Sequence, residues 1–520
     1  MSWISRVIDW LLPSRREGGD IGTRHYDAGD YSRLNANWRT INQSAEYTDR
    51  YSRDAVRARA RDLERNSDMA TSIVGAFVRN TVGGGFSLQA ETGSQEKNQE
   101  LETLWKQWCK KQNCDVTGTQ CFNQMLRMAV RRKKVDGGML FVKRYTESGI
   151  LPFKLQMFEV DELDSSQMAP KRQGNRVVGG IEYNPYNRPE GYWIRQFSID
   201  GIMAVEPVYI EAKDVIFYFS KRRASQLREM SDLSQTVTRI RDINEFMIAT
   251  ATKQRMEACI GLAIYREIPT VGVLPQRQAN PKRKSYDGKR MSPGMMLELN
   301  EGDKISVISP QGQAADATAY LKLQQHLIAS GQGVSFEAIA RDMSESTYSS
   351  ARQGLIEDGM TYAEEGELLM EVMDEVYETF VISAVLAGKI TAPDFWQDKQ
   401  KYFAHSWVKP PKPWIDPAKE AAATKIALQT GQKTFKQLAA ENGSDWQTQV
   451  DDIAEVLKYA RDKHQIDLGG VILGQKTNGL YTDEPERDSA SPDAGSGNGK
   501  NGIPSPAKSN DTDKGNGTEE

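Results

Sequence analysis

A chain of 520 residues with 38% hydrophobic and 27% charged side chains can bury a sizeable core, in two or three domains, beneath a polar surface. The formal net charge is −4; nine acidic against four basic residues between Asp483 and Glu520 contribute −5, which leaves the preceding body near neutral at about +1. That excludes a strongly basic nucleic-acid binder of the usual sort, and no apolar run reaches the roughly 18 residues that a membrane helix needs.

Met1–Leu12 is too short and too interrupted by Arg6 and Asp9 for a secretion signal. Trp3, Ile4, Val7, Ile8 and Leu11 give it one apolar helical face, which reads as a docking helix, with membrane contact as the alternative. Residues 13–50, rich in Gly, Asp, Asn and Arg, read as an extended arm. Tyr51–Asn80 reads as one helix, with Val56, Ala60, Leu63, Ala70, Ile73, Val74 and Phe77 on one face, stopped by Val82-Gly-Gly-Gly85. Lys97–Lys111 and Phe122–Lys133 read as two more. The period then changes. Gly138–Tyr145, Phe153–Phe158, Val177–Tyr183, Gly191–Arg195 and Val215–Phe219 are rich in β-branched and aromatic residues and separated by turn signals. They read as strands of one mainly antiparallel region.

Ser231–Ala263 returns to the helical period, with Leu233, Val237, Ile240, Ile243, Met247 and Ala251 along one face. Residues 266–312 break it with Pro269, Pro275, Pro281 and Pro293, carry the cations Lys282, Arg283, Lys284, Lys289 and Arg290, and close on strand-like runs within Met296–Ile308. Ala319–Ala329 is helical again. The stretch Gly331–Gly354 follows, with a polar hinge from Asp342 to Ser350 whose hydroxyls compete for backbone hydrogen bonds. Ser350, with Gln353 three residues on, has the spacing of a capping box opening the next helix, which carries apolar residues from Leu355 to Val381 and ends near Gly388. Pro410-Pro-Lys-Pro413 is a stiff connector; Asp416 caps a helix with Pro417 at its first position, and Gly431 ends it. Trp446–His464 is a further helix, and from Thr482 on almost no apolar residue remains, the composition of a disordered tail.

Catalytic patterns are absent. There is no Gly-x-Ser-x-Gly elbow, and in Gly469–Thr477 a glutamine separates Gly474 from Lys476, so the lysine is misplaced for a phosphate loop. Four cysteines argue for a reducing compartment without a disulfide framework. Cys109, Cys114 and Cys121 do not follow a zinc spacing and have no histidine nearby. No metal, cofactor or catalytic residue is assigned. The runs Arg131–Lys134, Lys221–Arg223 and Lys282–Lys284 read as solvated surface, with phosphate contact as the alternative.

Gly333-Val-Ser-Phe-Glu337, Arg341-Asp342 and Thr347-Tyr-Ser-Ser-Ala-Arg352 resemble the signature of lambda-type phage portal proteins, with Ser335 where the family usually has Pro and Thr347 where it has Asn. The likeness continues in Arg57–Leu63, Arg65-Asn66, Asn80–Gly84, Val178–Tyr183, Gly191–Trp193, Asp214–Ile216, Asp416–Ala421 and Thr430-Gly431. Phe217 replaces the usual His, and the family's Arg-x-x-Gln-x-Arg-Gly survives as Arg223, Gln226 and Arg228 with Glu229 for the glycine, which leaves the local turn open. In all, the resemblance spans about residues 51 to 475.

That resemblance implies an α+β portal fold with a mixed α/β wing, a long helical stem, a small clip and a helical crown. The corresponding segments are an arm 1–50, wing 51–230, stem helix 231–264, clip 265–312, stem helix 313–341, tunnel loop 342–350, wing helix and connector 351–413, crown 414–475 and tail 476–520. It implies a non-enzymatic ring, usually of twelve copies, at one capsid vertex, through which double-stranded DNA is packaged and ejected. Partners would be the terminase large subunit, major capsid and scaffold proteins, then head–tail connector proteins, with no membrane; the protein would assemble in the host cytoplasm and reside in the virion. Asp342, Glu345, Thr347, Tyr348 and Ser349 would face the DNA channel, and Lys282, Arg283, Lys284, Lys289 and Arg290 are candidates for contact with the motor or DNA. Asp342 and Glu345 are the only charges between Asp342 and Ser350, so an all-negative loop would repel phosphates; the alternative is a plain helix-to-helix turn with Tyr348 packed inside. Two other classes remain: a different head–tail or scaffold component, which would lack this order of segments, and a DNA-processing enzyme, which nuclease or ATPase activity would reveal.

Overall fold

A computed structural model describes residues 42–198, 206–258, 261–266, 299, 303–308, 314–344, 347–410, 416–466 and 468. The apolar face expected for Met1–Leu12, the expected arm up to residue 41, the basic segment Lys282–Arg290, the connector residues 411–413, Gly469–Thr477 and the expected tail lie outside these residues. The chain as far as Trp446 forms one unit, and Gln447 onward a second.

The helix expected over Tyr51–Asn80 is two, α1 (Arg53–Asn66) and α2 (Asp68–Thr81). Ser67 separates them in an extended conformation, φ −123° and ψ 122°, and is buried. Asn66, Ser67 and Asp68 are poor helix-interior residues because their short polar side chains compete for the backbone. The break lets α1 and α2 both pack on α4 (Phe122–Asp136). Between them come β1 (Ser87–Ala90) and α3 (Gln95–Trp108). Gly137 turns α4 into β2 (Gly138–Tyr145) at φ 97°, where a Cβ would stand 2.5 Å from the Met230 backbone. Only glycine fits there.

The strands form two larger sheets rather than one region. The first has the order β3-β2-β8, with β3 Phe153–Phe158 and β8 Val215–Phe219. The second runs β4-β5-β6-β7: Arg176–Val178, Ile181–Tyr183, Pro189–Ile194 and Val208–Glu211, the last a strand with no sequence expectation. All pairings in both are antiparallel. Side chains alternate across a strand, and both faces of β2 are buried: Met139 and Phe141 enter the helical core, while Leu140 and Val142 pack with Ile181, Tyr183, Tyr192 and Ile194 of the second sheet. The first sheet is therefore the middle layer.

The helix expected over Ser231–Ala263 is α5 (Val237–Ala258), followed by β9 (Gly261–Arg266), where Ile264 and Tyr265 favour strand. β9 pairs antiparallel with β10 (Asp303–Ile308). Then come α6 (Ala314–Gln332), the short α7 (Phe336–Ala340) and α8 (Tyr348–Leu386). The 39 residues of α8 span roughly 58 Å at 1.5 Å per residue. Its second half is the core's central rod, with Leu369, Met373, Val376, Tyr377, Phe380 and Val381 all buried. Gly388 ends it at φ 65°, close to the expected position. Then β11 (His405–Val408) pairs with β1, an association of residues more than 300 apart that no sequence pattern announced.

α9 (Pro417–Gln429) starts as expected, with the Asp416 carboxylate accepting from the Lys419 amide at 3.3 Å, and Gly431 follows it at φ 71°. α10 (Phe435–Glu441) was not foreseen. The helix α11 (Trp446–His464), whose residues from Gln447 on belong to the second unit, closes on itself: Gln465 is left-handed at φ 55°, and the Ile466 amide returns to the Ala460 carbonyl at 3.1 Å.

Two ionic clusters lie inside the first unit. In one, Arg57 meets Asp161 at 3.2 Å and Glu229 at 3.4 Å, Arg61 meets Asp136 at 2.6 Å and Glu159 at 3.0 Å, and Arg228 meets Glu229 at 2.7 Å. Glu229, the departure from the family glycine, is fully buried and has no positive φ. In the other, Lys133 and Lys134 pair with Asp232 and Glu365, and Arg131 and Arg132 pair with Glu64. The lysines of the run Arg131–Lys134 are therefore not solvated surface: the end of α4 is covered by α8 and the segment before α5, and carboxylates from both meet Lys133 and Lys134, while Arg131 stays partly exposed.

The core centres on aromatic rings. Trp108 stacks on Phe153 with centroids 5.3 Å apart and the planes 4° from parallel, and its indole N–H donates to the Phe153 carbonyl at 2.9 Å. Trp105 packs against Trp108 and, edge-on, Phe380, each at 5.0 Å. Trp108→Ala is expected to lower unfolding stability by roughly 3–5 kcal/mol, as large truncations in a packed core do. Urea denaturation followed by circular dichroism checks this; an unshifted midpoint would contradict the packing.

Candidate functional site, the loop between α6 and α8

α6 and α8 could not be separate helices without a segment that ends one and starts the other. Gly333 begins that segment at φ 70°, with its own amide on the Ser330 carbonyl and the Val334 amide on the Ala329 carbonyl, each at 3.1 Å. This glycine-terminated close satisfies carbonyls that the helix end would leave free. Ser335 then caps α7, its hydroxyl oxygen accepting from the Ala338 amide at 3.3 Å.

The same serine is clamped from α8. The Asp358 carboxylate accepts the Ser335 amide at 2.6 Å and its hydroxyl at 2.7 Å, while the Thr361 hydroxyl donates to the Gly333 carbonyl at 2.6 Å. From the other side, the Ser72 hydroxyl of α2 donates to the Ile339 carbonyl at 2.6 Å. The family-like motif Gly333–Glu337 is thus a fixed shelf, held by α2 and α8.

Beyond the shelf the chain is exposed. Arg341 ends α7 in the left-handed region, φ 56°, and Asp342 accepts the Ser344 amide at 3.0 Å. Hydrogen bonds from Ser344 hold the Asp342 carboxyl below the usual carboxylate range. Helix α8 then opens three residues earlier than the sequence spacing indicated. Thr347, not Ser350, is its cap: Thr347 Oγ1 accepts from the Ser350 amide at 3.3 Å, and the Thr347 amide donates to the Ser350 hydroxyl at 3.0 Å. Ser350 is the third helical residue, completing a reciprocal pair that a search for Glu or Gln at that position passes over.

Of the residues expected to face a channel, Asp342 lies in the exposed turn, Thr347 is the helix cap, and Tyr348 and Ser349 are the first two residues of α8. Glu345, and the cations Lys282, Arg283, Lys284, Lys289 and Arg290 expected to contact the motor or DNA, lie outside the described residues. The exposed guanidinium residue Arg341 adjoins Asp342, and Lys322 of α6 is within electrostatic reach of it, so the described part of the loop is not purely negative. Sequence reasoning missed Asp358. Its one signal is position: it shares an inward stripe with Tyr362, Glu365 and Leu369, all buried.

The clustered thiols are of another kind. Burial pushes Cys114 up to about 12 and Cys109 well above its ordinary value, so both are poor nucleophiles.

Asp358→Ala would leave the Ser335 amide and hydroxyl without their partner, a loss of roughly 1–3 kcal/mol. The expected result is faster amide hydrogen exchange over residues 333–341 with the aromatic core unaffected; unchanged exchange there would show that the clamp does not hold the shelf.

Comparison with known proteins places this geometry. Residues 31–365 match the family model described as phage portal protein, lambda family. The chain is 21% identical over 497 residues to a probable portal protein of Halomonas phage phiHAP-1, covering 93% of this chain and 95% of that one. It is 20% identical over 473 residues to the portal protein of Escherichia phage N15, covering 81% and 87% of the two chains. To portal protein B of Escherichia phage lambda it is 18% identical over 430 residues, covering 75% and 81%. Among solved structures, a chain from the neck of a native GTA particle computed with C12 symmetry aligns with a TM-score of 0.43 at 12% identity, covering 74% of this chain and 93% of that one.

Proposed function

This chain belongs to the lambda family of phage portal proteins, and from that premise we propose that copies of it, twelve in the usual family arrangement, close into a ring at one capsid vertex. DNA is packaged through the ring by the docked terminase motor and later leaves through it toward head–tail connector proteins. The protein assembles in the host cytoplasm with capsid and scaffold proteins and remains in the virion. Its own role is mechanical, a conduit and a docking surface.

The observation that supports this reading is the apolar surface one chain leaves open. Met247 and Ile248 on α5, Tyr320, Leu323 and Leu327 on α6, and Leu355, Ile356 and Met360 on the first half of α8 are all exposed. Large apolar side chains left open on three helices favour an interaction site. Two unlike faces on one chain make head-to-tail contacts, which give a ring when the rotation closes. Leu323→Glu with Leu327→Glu is expected to leave the helical content intact and abolish rings. Wild-type protein that stays monomeric by light scattering, with no rings in electron micrographs, would overturn the proposal.

Within such a ring, the turn at Asp342 projects into the channel from its clamped shelf, and the clip cations contact the motor or DNA. Asp342→Lys with Glu345→Lys is expected to assemble rings and capsids normally but to package or retain DNA abnormally. Normal rates and full retention of full-length DNA in the double variant would show that the loop does not meet DNA.

A further inference from the structure

An open cleft of about 600 Å³ lies where α4, the end of β8, the segment before α5, the end of α6 and the middle of α8 converge. Its cationic lining is Lys133 and Lys134 from α4 and Lys221 and Arg222 after β8; opposite them are Asp232, Glu364 and Glu365. The volume falls in the range of small-molecule sites rather than of single buried waters.

The hydrogen bonds in its wall do not balance. Lys133 Nζ reaches Asp232 at 3.0 Å and Glu365 at 2.7 Å; Lys134 Nζ reaches the same two carboxylates at 3.2 and 3.4 Å; Arg222 donates to the second oxygen of Asp232 at 3.0 Å. The Tyr218 hydroxyl donates to the remaining oxygen of Glu365. All four carboxylate oxygens are therefore taken. The donors are not: an ammonium group has three hydrogens and a guanidinium five. Three cations share two carboxylates: Lys133 and Lys134 are buried, while the Arg222 side chain is 43% exposed, so the excess positive charge is presented at the open side of the cleft. Burial would raise the Asp232 carboxyl, but Lys134, Lys133 and Arg222 outweigh it and hold it below the ordinary range, so it stays an anion and the imbalance persists. Lys221 lines the cavity with no side-chain partner among the described residues, and its charge offsets that of Glu364 across the lining.

We infer that this cavity binds a phosphate-class oxyanion, with Lys133 and Lys134 as its floor and Lys221 and Arg222 at its mouth. A phosphate supplies the missing charge and accepts several hydrogen bonds at once, and the guanidinium fork matches its geometry. The space beyond one phosphate admits what the phosphate is attached to, a free nucleotide or a nucleic-acid strand. The site lies within one subunit and does not depend on a ring. Its walls join Asp232, in the turn before α5, and Gln332, the last residue of α6, to α4 and α8, and Gln332 already links that turn by donating to the Asp232 carbonyl at 3.2 Å and to Thr236 Oγ1 at 3.1 Å. An occupied site ties these layers together.

Calorimetric titration of the full chain with inorganic phosphate, a nucleoside monophosphate and a short DNA oligonucleotide tests this. Saturable binding near one equivalent per chain is expected, weakened by about tenfold or more in Lys221→Gln with Arg222→Gln, as loss of charge-assisted hydrogen bonds implies. The remote exposed variant Lys213→Gln should bind as wild type. Binding by the free phosphates identifies a small-molecule ligand and binding by the oligonucleotide alone identifies a strand; either upholds the site if the double variant loses it. Should that variant unfold, Lys221→Gln alone, whose side chain has no partner to lose, carries the comparison. No saturable binding by any probe, equal loss in Lys213→Gln, or wild-type affinity in the Lys221 variants would overturn it.

Discussion

The layers of this protein are held in register by charges that have left water together. Arg57, Arg228 and Glu229 are nearly or wholly buried, as are Lys133, Asp232 and Glu365, and each group joins elements distant in the chain. The first connects α1 to the segment before α5; the second connects α4 to that same segment and to α8. Buried pairs of this kind are a weak source of net stability, because desolvation offsets most of the attraction, but removing one member strands the other at about 3–5 kcal/mol. Their effect here is on geometry: an element cannot slide without leaving a charge unmatched. Apolar packing alone tolerates such slips far better.

That constraint explains how one very long helix serves two environments. The second half of α8 is the rod about which Trp105, Trp108 and Phe380 pack, and the Lys133–Glu365 pair sits near the middle of the helix. Its first half leaves Leu355, Ile356 and Met360 in the open. A helix anchored this firmly at one end presents its other end in a defined direction, without needing neighbours of its own chain.

The loop before α8 depends on the same anchoring. Asp358 and Thr361 grip the shelf at Gly333 and Ser335, and Ser72 grips its far side. Exposure therefore rises within a few residues, from buried Ile339 to exposed Arg341 and Asp342. Loops that project from rigid supports are common binding elements, and the turn at Asp342 has such a support, made by side chains that a reading of the loop alone would overlook.

The sequence by itself determined the local structure and the family. Helical periodicity located α6, the body of α8 and α11; Asp416 with Pro417, and the glycines at 388 and 431, marked true ends. Cap chemistry and apolar spacing act over a few residues, which is why they are legible. The polar hinge after α7 was visible too, though the exact cap was not, since Thr347 pairs with a serine instead of a Glu or Gln. What only the tertiary structure decided were the matters of distance. The pairing of β1 with β11, the division of the strands into two sheets, the break at Ser67, the burial of Lys133 and Lys134 and the grip of Asp358 all rest on partners tens to hundreds of residues away. A lysine run has the same composition whether it faces water or a buried carboxylate. The elements that fold over it make the difference, and they are specified elsewhere in the chain.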